Sequence, residues 1–398
     1  MPAQIKSYKF KLKPTKEQWV ILNSWLGATR FMYNLCLDYK TNVYTANKTN
    51  ISKNDIQKEL KEIKNETSWM KNVHSQVIQD VTDRLFVSYD NFFRRVKQGV
   101  EEVGFPKFAK KNKWSSFKFK QGVRVLENTN KISLPKIGKI KFIKSQDIIG
   151  DIRTTSIKKE YDGWYVVICC EVNIQPKEIL NKEIGLDLGL KELVITSDGE
   201  FFYNPKTLKI WEKRLETCHR NLSRKKKGSK NRKKNIIELQ KLYAKISAIR
   251  KDYLHKTSSQ IVNENQVIVC EKLNIQGMLK NHKLAKSISD AGWGMLVSML
   301  EYKSKWAGRT FIQVAAHYTS QDCNVCGYRN SELTLKDREW TCPECNTVHD
   351  RDINASINIL NKGIKNLTET GHVFDTLKHI GDMECNSNPA EEPTHTKV

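Results

Sequence analysis

Four cysteines towards the C-terminal end constrain the fold of this chain more than any other feature. Cys323 and Cys326 form one CxxC pair, Cys342 and Cys345 form a second, and fifteen residues separate the pairs. This separation suits one tetrahedral zinc, because each pair bends round the ion with both thiolates inward and the segment between them can form a hairpin. Two disulfides are the alternative, but a chain without a secretory signature is expected in a reducing compartment, where such bonds do not persist. Four thiolates fill the coordination shell, so the zinc is predicted to be structural, with no position left for water or substrate. Chemistry is therefore expected beside the cluster, where His349-Asp350-Arg351-Asp352-Ile353-Asn354-Ala355 follows directly.

Charge indicates the partner. Against 44 Asp and Glu stand 68 Lys and Arg, a net +24 over 398 residues, which points to a polyanion and to nucleic acid first. The length allows two or three domains with real cores, and 39% hydrophobic residues argue for globular folding over disorder. No apolar run approaches the roughly 20 residues that span a bilayer, and MPAQIKSYKF lacks an apolar signal core. A membrane partner is not expected, and the protein reads as intracellular. Cys36, Cys169, Cys170, Cys218, Cys270 and Cys385 lie outside the cluster and read as ordinary thiols, most of them in apolar surroundings.

Residues 5–13 alternate, with Tyr8, Phe10 and Leu12 on one face and Lys9, Lys11 and Lys13 on the other, predicting a half-buried strand with a basic outer face. Pro14 ends it. Thr15 and Gln18 form a capping-box pattern, opening a helix with Trp19, Leu22, Trp25 and Leu26 at helical spacing. Helical patterns at 54–64 and 75–97 complete a small helical region over 15–100. Near the start of its last helix, Gln76 and Gln79 carry carboxamides able to read an adenine edge, although solvated positions on an amphipathic helix are the plainer explanation. Further on, Phe105, Lys107, Phe108, Lys110, Lys111 and then Phe117-Lys118-Phe119-Lys120 interleave aromatics with cations. That pattern fits phosphate pairing with base stacking, or equally a strand with one dry face. Short β-like runs at 123–126, 131–134, 138–143, 152–159 and 164–172 suggest a small barrel or sandwich, which the N-terminal strand completes.

After a linker at 176–182, Ile184 to Leu190 and Leu193 to Thr196 read as strands, with a turn at Asp198-Gly199. Asp187 within an apolar strand is costly unless it has a partner. Helices at 206–222 and 235–265 flank the run 220–234, where nine cations and no acid include Arg224, Lys225, Lys226, Lys227 and Arg232. Phosphate contact is expected there. Val267 to Glu271 is a second apolar strand ending in a carboxylate, residues 292–306 read as a helix, and Phe311 to Ala315 as a strand. Asp352 opens the last helix, and residues 371–398 are expected to be disordered. Adjacent strands and a following helix can bring Asp187, Glu271 and Asp352 together. Three such carboxylates favour hard divalent cations, a pair of which supports phosphodiester hydrolysis.

In this order, GLDLGLKELVITSDG, VCEKLNI, YTSQDCNVCG and CPECNTVHDRDINASINI resemble the motifs of the TnpB family, transposon-encoded RNA-guided DNA endonucleases related to the type V CRISPR effectors. KFKLKPTKEQ and GFPKFAKK extend the resemblance over residues 5–365. It implies a multidomain α+β fold: a β-barrel wedge domain from 1–14 and 101–180, and a helical recognition domain inserted at 15–100. An RNase H-like (RuvC) α/β nuclease domain would come from 181–318 and 351–370, with a helical insertion at about 205–265, and a zinc ribbon from 319–350. The carry-over makes Asp187, Glu271 and Asp352 the RuvC acids, holding catalytic magnesium, two ions, beside the structural zinc. Asp350 receives no assigned role, and Ser356 stands where a second alanine is common. The resemblance further implies a guide RNA from the transposon end, double-stranded target DNA recognised beside a short motif, and cutting of both strands. Gln76, Gln79 and Lys107 to Lys113 are its candidates for reading that motif. A monomer is expected, cytoplasmic in a prokaryote and on the nucleoid when bound to DNA. Three other readings stand against this one: a nuclease-inactive RNA-guided DNA-binding regulator, a transposase, and a sugar-kinase or actin-like ATPase, for which no second glycine-rich phosphate loop is present.

Overall fold

The computed structural model describes residues 4–315, 317–334 and 337–369, and the chain divides between Asn173 and Ile174 into two units. The tail expected at 371–398, with Cys385, lies outside the described residues.

The first unit begins with β1 (Gln4–Lys13) and then carries α1 (Lys16–Asn47), α2 (Lys53–Glu66), α3 (Ser68–Lys71) and α4 (Ser75–Lys97). Six strands follow: β2 (Ser116–Phe119), β3 (Arg124–Leu126), β4 (Lys131–Leu134), β5 (Gly138–Ile143), β6 (Asp151–Glu160) and β7 (Gly163–Val172). They form one antiparallel sheet in the order β2-β6-β7-β1-β5-β4-β3, with the N-terminal strand in the middle and β2 and β3 at its edges. The helices are therefore an insertion between neighbouring parts of a β structure. Thr15 and Gln18 make both bonds of the capping box that starts α1. Leu22, Trp25, Met32 and Leu37 of α1 are buried, as are Val77, Val81 and Leu85 of α4.

Two expectations for this unit change, and one left open is decided. Tyr8, Phe10 and Leu12 are buried as the alternation requires, but Lys9 pairs with Glu160 at 2.7 Å and Lys11 with Asp162 at 2.5 Å, so the opposite face is not a bare basic strip. Phe117 and Phe119 are fully buried, the dry-face outcome, whereas Phe105 and Phe108 stay exposed. Trp19, placed on the apolar stripe of α1, is 41% exposed.

The second unit is built on β8 (Glu183–Asp187), β9 (Glu192–Thr196), β10 (Phe201–Tyr203), α5 (Thr207–Ser223), α6 (Lys230–Glu264) and β11 (Val267–Lys272). It continues through α7 (Ile275–Met278), α8 (Ala285–Ala291), α9 (Trp293–Ala307), β12 (Thr310–Ala315), the short hairpin β13 (Glu339–Thr341) and β14 (Val348–Asp350), and α10 (Arg351–Glu369). Its main sheet has the order β10-β9-β8-β11-β12: the hairpin strands are antiparallel, while β8, β11 and β12 run parallel. Residues 176–182 are not a free linker, since Lys177 N–H donates to Ala307 O at 3.0 Å and the Arg309 guanidinium to Glu178 O at 2.5 Å.

Alternation along the parallel strands decides which helix each side chain meets. Ile184, Leu186, Ile268 and Cys270 pack with Leu254, Ile261, Leu296 and Leu300 of α6 and α9. Val267, Val269 and Val314 point the other way, against Ile359 of α10. Gly185 lies on that second face. A Cβ there would overlap the Ser356 carbonyl oxygen and come within 2.9 Å of Leu360 N, so helix backbone rests on strand backbone. Gly363 repeats the arrangement from the helix side, where a Cβ would overlap the Val269 side chain.

Gly185→Ala is therefore expected to destabilise the second unit by about 1–3 kcal/mol or more, because backbone has to move. Gly27→Ala, inside α1 with nothing within 4 Å of the added carbon, should instead stabilise by up to about 1 kcal/mol. Thermal melts of the two variants check the pair, and equal melting points would contradict the close approach.

Candidate functional site

Period-two alternation carries the α10-facing side of β8 from Gly185 to Asp187, and that of β11 from Val269 to Glu271. The parallel register pairs Cys270 with Leu186, so the two acids sit side by side at the C-terminal ends of neighbouring strands. Glu271 is 6% exposed and Asp187 is half-buried. Glu271 Oε1 accepts the Leu188 N–H at 3.2 Å, which orients it across the top of β8. Burial pushes the Asp187 carboxyl up to about 7, with the nearby Asp352 charge adding to the rise. Burial also pushes Glu271 up to about 8, with Asp187 as the second cause.

Asp352 arrives from α10. Asp350 Oδ1 accepts the N–H groups of Asp352 and Ile353, both at 2.9 Å, and thereby caps the helix. Asp350 now has a role: it starts the helix that presents Asp352. The Asp352 carboxylate turns to Arg338, whose Nη1 lies 2.7 Å from Oδ2. The three acids are thus gathered at one end of the sheet, with Asp187 and Glu271 in contact and Asp352 held by a cation. Their oxygens do not converge as the thiolates do, since among the described residues only the cysteine quartet has all its ligand atoms within 4.8 Å of one another. The Asp187 carboxyl is raised by burial and by Asp352 against the opposing pull of Arg351, and the Glu271 carboxyl by burial and by Asp187, so the two make an oxygen donor set facing α10. Hard divalent ions fit it. Repulsion of this kind amounts to about 4 kcal/mol for unit charges about 4 Å apart near a protein surface. Val267, Val269, Val314 and Ile359 each contribute about 1.5–3 kcal/mol by leaving water, enough to hold α10 down against it.

The cysteine cluster fits zinc. Cys323 and Cys342 are buried, Cys326 Sγ lies 3.5 Å from Cys342 Sγ, and Cys323 Sγ lies 3.6 Å from Cys345 Sγ. The Thr347 hydroxyl and backbone draw the Cys345 thiol down to about 6, which favours the metal-binding thiolate. Buried His349 sets Nε2 3.1 Å from Cys323 Sγ and lies tilted at 37° against Trp340, 4.8 Å between centroids. A thiolate only accepts, so that nitrogen carries the hydrogen whenever Cys323 is a thiolate.

The remaining predicted residues divide. Gln76 is a correction: its carboxamide oxygen accepts the N–H groups of Lys120 and Gln121, both at 3.1 Å, and is not free to read a base. Gln79 is exposed and lines a cavity of about 640 Å³ with Lys58, Lys61 and Lys64. Lys107, Lys110 and Lys111 are exposed, as are Arg224, Lys225, Lys226 and Lys227 in the turn between α5 and α6. Arg232 is half-buried, and its Nη1 donates to Leu222 O at 2.6 Å and Lys225 O at 3.2 Å, stapling that turn, while the neutral carbonyls leave its charge uncancelled. Sequence reasoning missed Arg338, His349 as a neighbour of the cluster, and Asn354 and Asn358. Only the His349-Asp350 adjacency to the second CxxC pair gave any signal for them.

A family profile described as a probable transposase, OrfB_IS605, matches residues 167–282; the Cas12f1-like TNB domain matches 293–359. A helix-turn-helix domain profile of the same OrfB_IS605 family matches 1–49, where the described residues form one strand and one unbroken helix. A relative from Streptomyces pristinaespiralis, designated a candidate RNA-guided DNA endonuclease, is 34% identical over 382 residues, spanning 92% of this chain and 91% of its own. InsQ of Escherichia coli (strain K12), with the same designation, is 30% identical over 378 residues, or 90% and 92% of the two chains. In the solved complex of Cas12f1 with sgRNA and target DNA, a chain shares this fold with a TM-score of 0.54 at 14% identity, covering 87% of this chain and 83% of that one.

The raised carboxyls make a prediction independent of catalysis. A folded-state pKa above the unfolded value stabilises at low pH, and that contribution is lost as pH rises from the ordinary carboxylate range through the raised values. In metal-free protein, Asp187→Asn should raise the melting point by a few degrees at about pH 8 and by less at about pH 5. Scanning calorimetry in chelator checks this, and a pH-independent difference would contradict it. The whole-length identity to two such relatives, the matched profiles and the shared fold lead to one assignment: the chain belongs to the TnpB family.

Proposed function

We propose that this protein is an RNA-guided DNA endonuclease of a transposon, and that Asp187, Glu271 and Asp352 hold the divalent ions of its nuclease site, magnesium being the expected metal. The observation that carries the reading is the pairing of half-buried Asp187 with buried Glu271 at adjacent strand ends, faced by Asp352, in a chain of net charge +24. Bound divalent ions would activate water and stabilise the leaving oxygen of a phosphodiester. The protein's own part is to hold the donors. Glu271 is oriented by the Leu188 N–H, Asp352 is set by the Asp350 cap, and Arg338 neutralises Asp352 until a cation competes for it. Cys323, Cys326, Cys342 and Cys345 would hold a structural zinc. Sequence specificity would come from pairing between guide RNA and one target strand, with protein cations contacting backbone. In this reading the sheet and helices of the first unit are the wedge and recognition domains, and the second unit is the nuclease with its zinc ribbon.

The test is cleavage of a target plasmid by protein purified with its copurifying RNA, with magnesium present. Cutting of both strands is expected, and a complex that binds the plasmid yet leaves it intact would favour the non-cleaving regulator. Asp187→Ala should abolish cutting while target binding persists, because no basic surface is touched; loss of both would assign it a folding role.

Neutralising Arg224, Lys225, Lys226 and Lys227 together should weaken nucleic-acid binding. It should also flatten the slope of log K against log salt, by about 0.7–0.9 for each phosphate that the variant no longer neutralises. An unchanged slope would return the α5–α6 turn to a solvated loop.

A further inference from the structure

Two asparagines in the first two turns of α10 are locally unfavourable. Asparagine is a poor helix former, and a buried carboxamide costs about 1–3 kcal/mol unless its hydrogen bonds are made. Asn354 is 2% exposed and Asn358 is 8% exposed. Their bonds all run to one place. Asn354 Oδ1 accepts Asn324 N–H at 3.0 Å while its Nδ2 donates to Asp322 O at 2.8 Å. Asn358 Nδ2 donates to Thr319 O at 2.9 Å and to Asp322 O at 2.6 Å. These backbone groups surround Cys323, so the first CxxC loop is clamped to α10 by carboxamides. The second CxxC pair is tied to the same helix through β14, whose Asp350 caps it.

At about 100° per residue, Asn354 and Asn358 lie roughly opposite Ser356, which meets the sheet at Gly185. The helix that carries Asp352 is thus gripped on one side by β8 and β11 and on the other by the cysteine knuckle. Arg338 reaches Asp352 from the knuckle side as well.

We propose that Asn354 and Asn358 are positioning residues that tie the filling of the cysteine cluster to the placing of Asp352, so that the cluster sets the affinity of the acid site for a divalent cation. This rests on the reading of Asp187, Glu271 and Asp352 given above. Neither asparagine touches the acids; both act through the helix.

The test uses the full-length protein with Mn2+ as the probe, followed by calorimetry. Removing zinc from the wild type should weaken Mn2+ binding about tenfold. Asn354→Asp and Asn358→Asp keep side-chain size but turn a donor into an acceptor facing a carbonyl. Zinc-loaded, they should show the same loss, and removing zinc should then add little, as for two changes acting through one contact. Unchanged Mn2+ affinity in the zinc-loaded variants overturns the proposal. A variant that fails to fold is replaced by a reciprocal measurement on the wild type: coupling obliges Mn2+ to tighten zinc by the same factor. Equal zinc affinity with and without Mn2+ overturns the proposal too. Asp187→Ala separates the two levels. If it binds Mn2+ as well as the wild type does, the acid site itself is misread and the proposal falls with it.

Discussion

The seating of α10 on β8 and β11 is the contact on which the rest of the second unit depends. Gly185 and Gly363 each lack the carbon that would hold helix and sheet apart, and they lie on opposite partners of one contact. Removing both side chains costs apolar surface at those positions. Val267, Val269, Val314 and Ile359 restore it around them. The result is a helix whose N-terminal turn is carried to the C-terminal ends of two parallel strands, where open α/β sheets present their crevice. Asp352 is brought near Asp187 by backbone packing several residues away, not by any attraction between the acids, which repel one another.

That division between what packs and what repels also explains the local chain chemistry. Aspartates two residues apart at the start of α10 do different work: Asp350 closes the helix by accepting two N–H groups, and Asp352 is left with its carboxylate outward on Arg338. Charge elsewhere is used in a similar way. Lys9, Lys11 and Arg232 belong to a strongly basic sequence, yet each is bonded within the fold. The net +24 already subtracts the acids Glu160 and Asp162, so these bonds decide where the excess is presented, and Arg224 to Lys227 with Lys107, Lys110 and Lys111 are exposed.

Much of the fold was legible because its signals are local. Alternation marked β1 and β4 to β7, a capping box marked α1, and cysteine spacing marked the cluster. The acids at 187 and 271 stood out because a carboxylate in an apolar strand contradicts its neighbours. What stayed hidden depends on long-range geometry. Gln76 looked like a free carboxamide until the fold brought Lys120 and Gln121 to its oxygen. Phe117 and Phe119 alternate with lysines just as a stacking surface would, and only the sheet decides that they face inward. Arg338 sits in no pattern at all, and its meaning is the 2.7 Å contact it makes fourteen residues later.

The cysteine cluster is best understood from what lies either side of it. Closed tetrahedral sites cannot present an open position to a reactant, so their effect on chemistry must be mechanical. A small knuckle has little apolar core to hold its shape, here Cys323, Trp340 and Cys342 with Leu333 and Cys345 around them. Its loops can be rigid only if the thiolates are gathered and the backbone is bonded to something that does not move. His349 meets the first need at Cys323, and Asn354 and Asn358 meet the second from α10. A helix pinned on the sheet alone could still fray at its first turn, where Asp352 lies. Bonded to the knuckle on its far face as well, that turn is held from both sides, which is what a carboxylate needs if it is to meet a cation at a fixed distance.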